Sequence, residues 1–224
     1  MAAVIDAAMA AVSDAINGNS RYAAIRLDHI GLMSAYFILA ISRATVTPLS
    51  PSSELRMPDR ALQPVAPAEV SQGQPLGVAL LALNNAHAQE LSWLEPERLQ
   101  HLVEQAFLAR RIGDLDAFLL AFDRDARYDS PNFLWFCARY PRFVYVDRIV
   151  VASSARGRGC ARRLYRDLFE HAAEAGYERV VCEVNSNPPN PTSDAFHAAL
   201  GFVEVGTASV YDGSRTVRYL LHTL

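Results

Sequence analysis

Cysteine is scarce in this chain of 224 residues. Cys137, Cys160 and Cys182 are the whole complement, odd in number, well separated and without a Cys-x-x-Cys pair. That argues against a disulfide framework or a zinc site, and for a reducing, cytoplasmic compartment. Long apolar runs are missing too. The stretch Ala35 to Ile41 falls far short of the roughly 20 residues of a membrane span, so no membrane partner is expected. Positive charge is not in excess. The formal net charge is -3, which argues against a general attraction to nucleic acid. There is no Gly-x-Gly-x-x-Gly, no Gly-Lys-Ser/Thr, no internal repeat and no Ser-His-Asp arrangement. His87 has no His or Cys partner at metal spacing, so no metal is expected. What is present is 51% hydrophobic and 20% charged residues, the balance of a soluble globular protein that buries a core without staples.

One stretch carries most of the information. A β-branched run, Phe143 to Val151, reads as a strand. It ends in the polar turn Ala152-Ser153-Ser154-Ala155, which opens into Arg156-Gly157-Arg158-Gly159-Cys160-Ala161. A helix follows, with Ala161, Leu164, Tyr165, Leu168, Phe169 and Ala172 on one stripe and Gly176 as its stop. Arg156, Arg158, Arg162 and Arg163 crowd the start of that helix, where the backbone is already partly positive. A bound polyanion resolves the conflict, and Gly157 and Gly159 clear side chains from the main-chain amides that would receive it. Arg179 to Val184 reads as the strand leading out. The whole is a βαβ unit with an anion site at the helix start. Cys160 is open to two readings, a reactive thiolate at a helix N-terminus or a small residue in a permissive position.

The run Arg156-Gly157-Arg158-Gly159-Cys160-Ala161 resembles the acetyl-CoA pyrophosphate motif, Arg/Gln-x-x-Gly-x-Gly/Ala, of the GCN5-related N-acetyltransferases. Downstream, Ala195-Phe196-His197-Ala198-Ala199-Leu200-Gly201-Phe202 resembles that family's closing Phe-Tyr-x-x-x-Gly-Phe. The resemblance implies an α/β (α+β) fold whose mixed central sheet is splayed between its fourth and fifth strands, with helices on both faces. It also implies an acetyl-CoA-dependent N-acetyltransferase acting by direct attack of an amine in a ternary complex. The acceptor is then a small-molecule or peptide amine.

The rest of the chain fits that architecture. Ala61 to Val65 reads as a first strand, Leu76 to about Leu91 as a first helix, and Glu95-Pro96-Glu97 as the start of a second. Ala109 to Ile112 and Ala117 to Phe122 read as strands around the turn Gly113 to Asp116. Asp123 to Arg142 is an insertion, and Gly201 to Val205 and Thr216 to Leu221 are the last strands. Residues 1–58 read as an N-terminal extension and 59–224 as the acetyltransferase domain. Ile5, Met9, Val12 and Ile16 have helical spacing, Asn17-Gly18-Asn19 stops that helix, and six prolines between Pro48 and Pro75 mark a linker. The extension is either a packing arm, as in a homodimer, or an appendage without a catalytic role. Met57-Pro58-Asp59-Arg60 looks like a natural start for the family, and translation beginning there is a further expectation.

The resemblance also distributes roles. Ile149, Val150 and Val151 would offer a strand edge to the pantetheine arm. Arg156, Gly157, Arg158, Gly159, Cys160 and Ala161 would hold the diphosphate. Asn190 falls where relatives hydrogen-bond the pantetheine, or it opens a helix capped by Thr192 or Ser193. Glu183 is the expected base for the amine, its pKa raised by partial burial. The alternative is an ion pair with Arg179 or Arg218. Asp147 is the rival base, or the group that holds the substrate ammonium. His197 stands where the family has a tyrosine acid, and an imidazole can also donate a proton. Tyr211 could supply the missing hydroxyl instead. Asn84, Asn85, Glu90 and Asp129, with nearby aromatics, would suit a small polar amine, although the aromatics also read as core. Two other functions remain open on sequence: an acyl-CoA sensor without turnover, and a basic nucleic-acid module around Arg156 to Arg166. The second is disfavoured by the acidic balance and the lack of interleaved aromatics.

Overall fold

The computed structural model describes residues 61–224. The expectations for the N-terminal extension, including its helix, its apolar run and the start at Met57, lie outside those residues. The described chain runs β1 (Leu62–Pro64), α1 (Pro75–Asn85), α2 (Pro96–Gln105), β2 (Leu108–Ile112), β3 (Ala117–Asp123), α3 (Pro131–Cys137), β4 (Val144–Val151), α4 (Cys160–Glu174), β5 (Arg179–Asn187), α5 (Pro191–Ala199), β6 (Val203–Val210) and β7 (Arg215–Thr223). One sheet holds all seven strands in the order β1-β2-β3-β4-β5-β7-β6. Every pairing is antiparallel except that of β4 with β5.

The period-2 alternation of β3 shows how the layers form. Phe118, Leu120 and Phe122 face Leu80 of α1, Leu99 and Leu102 of α2, and Phe133 and Phe136 of α3. Ala117, Leu119 and Ala121 face the stripe Leu164, Tyr165, Leu168 and Ala172 of α4. Both sides of the strand are covered, so its sequence is a nearly unbroken apolar run rather than an alternating one. The fold is the α/β arrangement implied by the motifs, with helices on both faces.

Local chemistry sets the helix limits. α1, α2, α3 and α5 each open on a proline, whose missing N–H costs nothing in a first turn. α1 stops at Asn85, six residues before the expected Leu91. Its last two side chains turn away to the following loop, Asn84 Nδ2 to Ser92 O and Asn85 Nδ2 to Leu94 O, which competes with helical hydrogen bonding. The insertion Asp123 to Arg142 contains a helix, α3. Asn190, not Thr192 or Ser193, caps α5; its Oδ1 accepts the Ser193 N–H at 3.2 Å.

β4 and β5 pair at only two positions, Val144↔Val180 and Tyr145↔Val181, and then separate. The expected splay between the fourth and fifth strands is therefore present. A bulge sits beside it. β3 pairs Leu120 with Arg148 and Ala121 with Val146, so Asp147 is an extra residue on β4.

Gly206 of β6 approaches Trp135 of α3 closely. A Cβ there would lie 2.6 Å from Trp135 Cζ2. The indole cannot retreat easily, because it stacks on Tyr219 at 4.0 Å on one face and carries the Arg139 guanidinium at 3.8 Å. Gly206→Ala should therefore destabilise the domain by about 1–3 kcal/mol, the usual cost of overpacking. Chemical denaturation of variant and parent checks this, with a midpoint shift at unchanged slope as the expected result.

Candidate active site

Where β4 and β5 part, a cleft of about 610 Å³ opens. Val146, Ile149, Val150 and Val151 line it from β4, and Cys182, Val184 and Asn185 from β5. The glycine turn closes one end. Gly157 and Gly159 adopt φ of 74° and 75°, a region open to glycine, and added Cβ atoms there would meet nothing within 4 Å. Gly159 is the N-cap of α4 and has no side chain to cap it. The first N–H groups of α4 thus lack an intrahelical acceptor and face open space, with Arg156 and Arg162 beside them on the cleft. These residues fit a diphosphate. Cys160 and Ala161 line the cleft, and Asn190 does so while capping α5. Arg158 is exposed and is not among the residues that line the cleft. Cys160 is buried, with its thiol 3.9 Å from the Ala155 carbonyl, which favours the small-residue reading.

A second cavity, about 50 Å³, lies against the first. Glu90, Leu91, Asp147, Glu183 and Asn185 line both. The Glu183 carboxylate is held by Asn132, whose Nδ2 donates to Oε1 at 3.0 Å. Tyr219 in turn donates to Asn132 Oδ1 at 3.1 Å. Oε2 of Glu183 is buried and has no hydrogen-bond partner. Burial above all, with the nearby Asp147 charge, pushes its pKa from 4.5 to about 7; the Tyr145 phenol and Asn132 pull the other way. The ion pairs expected as the alternative are made elsewhere: Arg218 pairs with Asp194, and Arg179 with Glu178.

Asp147 is at the junction but is already occupied. Tyr128 donates to its Oδ1 at 2.6 Å, and Arg148 Nε lies 2.9 Å from Oδ2. Asn84 is a correction. It is fully buried, donating to Ser92 O and Asn85 Oδ1 and accepting from Arg148 at 2.8 Å, so it anchors the loop after α1 and does not face an acceptor. Asp129 pairs with Arg98 at the surface, outside both cavities. Glu90 reaches the junction half exposed. Tyr211 borders the small cavity, not the large one, which separates it from the glycine turn.

His197 is also corrected as an acid. It is 3% exposed, and burial lowers its pKa. Nδ1 lies 2.8 Å from the Ser193 carbonyl, so it carries the ring's proton, and Nε2 accepts from the Tyr165 hydroxyl at 2.7 Å. The imidazole is neutral, and its one proton is committed to a main-chain oxygen.

A model of the acetyltransferase (GNAT) family matches residues 82–202. The chain belongs to the GNAT acetyltransferase family. Two rice proteins share parts of it: glucosamine 6-phosphate N-acetyltransferase 1 is 38% identical over 69 residues, 31% of this chain and 39% of that protein. The second, a probable glucosamine 6-phosphate N-acetyltransferase 2, is 40% identical over 62 residues, 28% of this chain and 34% of its own. The chain thus spans little more than a third of the length of these relatives. Among solved structures, a NatC complex bound to Gag peptide and CoA superposes with a TM-score of 0.57 at 12% identity, over 73% of this chain and 98% of that one. YncA from Salmonella typhimurium with acetyl-CoA gives 0.53 at 15% identity, over 73% and 92%. At those identities the structures speak for the GNAT fold alone.

Several site residues of this GNAT domain escaped the sequence reading. Asn132 was signalled, because Ser130-Pro131 is a helix-start pattern that places it in a first turn. Tyr145, Tyr219 and Arg148 read only as strand residues. No group of three or more His, Cys, Asp or Glu suited to a metal occurs among the described residues, and no helix there is long and apolar enough to cross a membrane.

The raised pKa of Glu183 has a stability consequence with a definite sign. The folded form keeps the proton between 4.5 and about 7, where the unfolded chain releases it. Stability from this group is complete below 4.5 and is lost as pH rises through 7. The span corresponds to about 3 kcal/mol. Glu183→Gln, which cannot ionise, should gain stability relative to the parent as pH rises from 5 to 8, measured by thermal melts across that range.

Proposed function

We propose that the protein transfers an acetyl group from acetyl-CoA to the primary amine of a small molecule or peptide, by direct attack within a ternary complex. The observation that carries this reading is Glu183, which borders both cavities with an unpartnered oxygen and a pKa of about 7. Acetyl-CoA supplies the activated acyl group. The glycine turn with Arg156 and Arg162 receives its diphosphate, and the unpaired edge of β4 at Ile149 to Val151 receives the arm. Remote binding of this kind orients a thioester against the amine.

The amine nitrogen forms a bond to the carbonyl carbon, the carbon–sulfur bond breaks, and the nitrogen's proton passes to Glu183. A base whose pKa lies near the working pH is well matched to that transfer. His197 has no proton to spare, so the departing thiolate is protonated from the solvent that enters the cleft. Asp147, paired with Arg148 and held by Tyr128, shapes the junction, and its charge adds to the burial that raises the Glu183 pKa. The names of the rice relatives and the peptide in the NatC structure make amino sugars and peptide amino termini the acceptor classes to try first.

Thiol release from acetyl-CoA over an amine panel tests the reading. Glu183→Gln should lower kcat by about 10²–10⁴-fold and abolish the rising limb of activity near pH 7. His197→Gln should leave kcat close to the parent's, because no proton moves through the ring. A loss equal to that of Glu183→Gln would restore the histidine as the acid. Gly159→Val should remove thermal stabilisation by CoA, since its side chain strains a left-handed residue beside the helix N-terminus.

A further inference from the structure

The small cavity contains one cation that the acetyl-transfer reading leaves unused. Arg215 opens β7 just after the β6–β7 turn and borders the cavity together with Glu183. Its Nη1 donates to Leu91 O at 3.0 Å and its Nη2 reaches Ala88 O at 3.5 Å. Those are neutral partners; no carboxylate lies within ion-pair range of it among the described residues. The other arginine of the cavity, Arg148, is different. It is 4% exposed, and Asp147, Asn84 and Ser92 take up its donors.

Asp147 and Arg148 pair with each other within the wall. Glu183 must be without its proton to act as a base, and Glu90 is half in solvent beside His87. Arg215 is left as a cation at a small polar cavity with no carboxylate of its own among the described residues, and with guanidinium N–H groups beyond those given to the two carbonyls. A guanidinium so placed favours a carboxylate or a phosphate. The Glu183 carboxylate lines the same cavity and favours an amine N–H. The two demands are met by one molecule.

We propose that the acceptor is a compact amine that also bears an acidic group, a carboxylate or a phosphate, with Arg215 binding the acid while Glu183 receives the amine. This rests on the acetyl-transfer reading and narrows its substrate class. Arg215 is the specificity-determining residue.

The test measures kcat/KM by thiol release for matched pairs: serine and serinamide, O-phosphoethanolamine and ethanolamine, glucosamine 6-phosphate and glucosamine. A peptide with N-terminal serine serves as a further acceptor. The acidic member of at least one pair should exceed its neutral partner by tenfold or more; which pair responds tells carboxylate from phosphate. Arg215→Gln keeps a donor for Leu91 O but not the charge, and should bring that ratio close to one, chiefly through KM. Arg215→Lys keeps the charge and should retain a clear preference for the acid. A clamp that merely holds the loop would change both members of a pair equally, and that result overturns the proposal. Equal use of acid and neutral amine by the parent also overturns it, as does turnover of the peptide alone, while leaving acetyl transfer intact. No thiol release from any acceptor, peptide included, overturns both readings.

Discussion

β4 and β5 share two residue pairs and then part, and the rest of the site follows from that separation. A parallel pair that continued would satisfy its own N–H and C=O groups and leave no room. Parting leaves the edge of β4 beyond Tyr145 without β5 as a partner, which is costly unless water or a ligand supplies one. An extended, amide-rich molecule is the natural occupant. The glycine turn stands at the end of β4 for the same reason: the strand that lends its edge also delivers the chain to the N-terminus of α4.

The site's polar residues are supported from the apolar layer rather than from loops. Trp135 stacks on Tyr219, Tyr219 donates to Asn132, and Asn132 donates to Glu183. A change in packing at α3 is therefore transmitted to the carboxylate through a short chain of hydrogen bonds. The cations do not share in the pH response. The chain has no lysine, and its 21 arginines stay charged at any pH the protein meets.

The sequence announced the glycine turn because its chemistry is local: positive φ, missing side chains and a helix start all lie within six residues. The strand order around it was legible from period-2 runs, and Glu183 from its place on the strand facing the gap. Asn84 misled, because a polar residue on an apolar helix looks like a ligand until its buried partner, Arg148, is known 64 residues later. His197 misled for a related reason. Its environment is set by Tyr165 from another helix, and no spacing rule reveals that contact. Arg215 left no trace, since a lone arginine at the start of a strand is ordinary; only the cavity gives it meaning. The end of α1 was hidden in the same way, because the asparagines that stop it bond to a loop the helix has not yet reached.

The bulge at Asp147 gives the junction a property that regular β structure could not. In an unbroken strand, consecutive side chains leave on opposite sides. The extra residue lets Asp147 and its immediate successor, Arg148, meet on one side and form an ion pair between chain neighbours. The counter-ion is thus tethered by a single peptide unit. Neither ion depends on a distant loop to bring its partner to the junction where Glu183 lies.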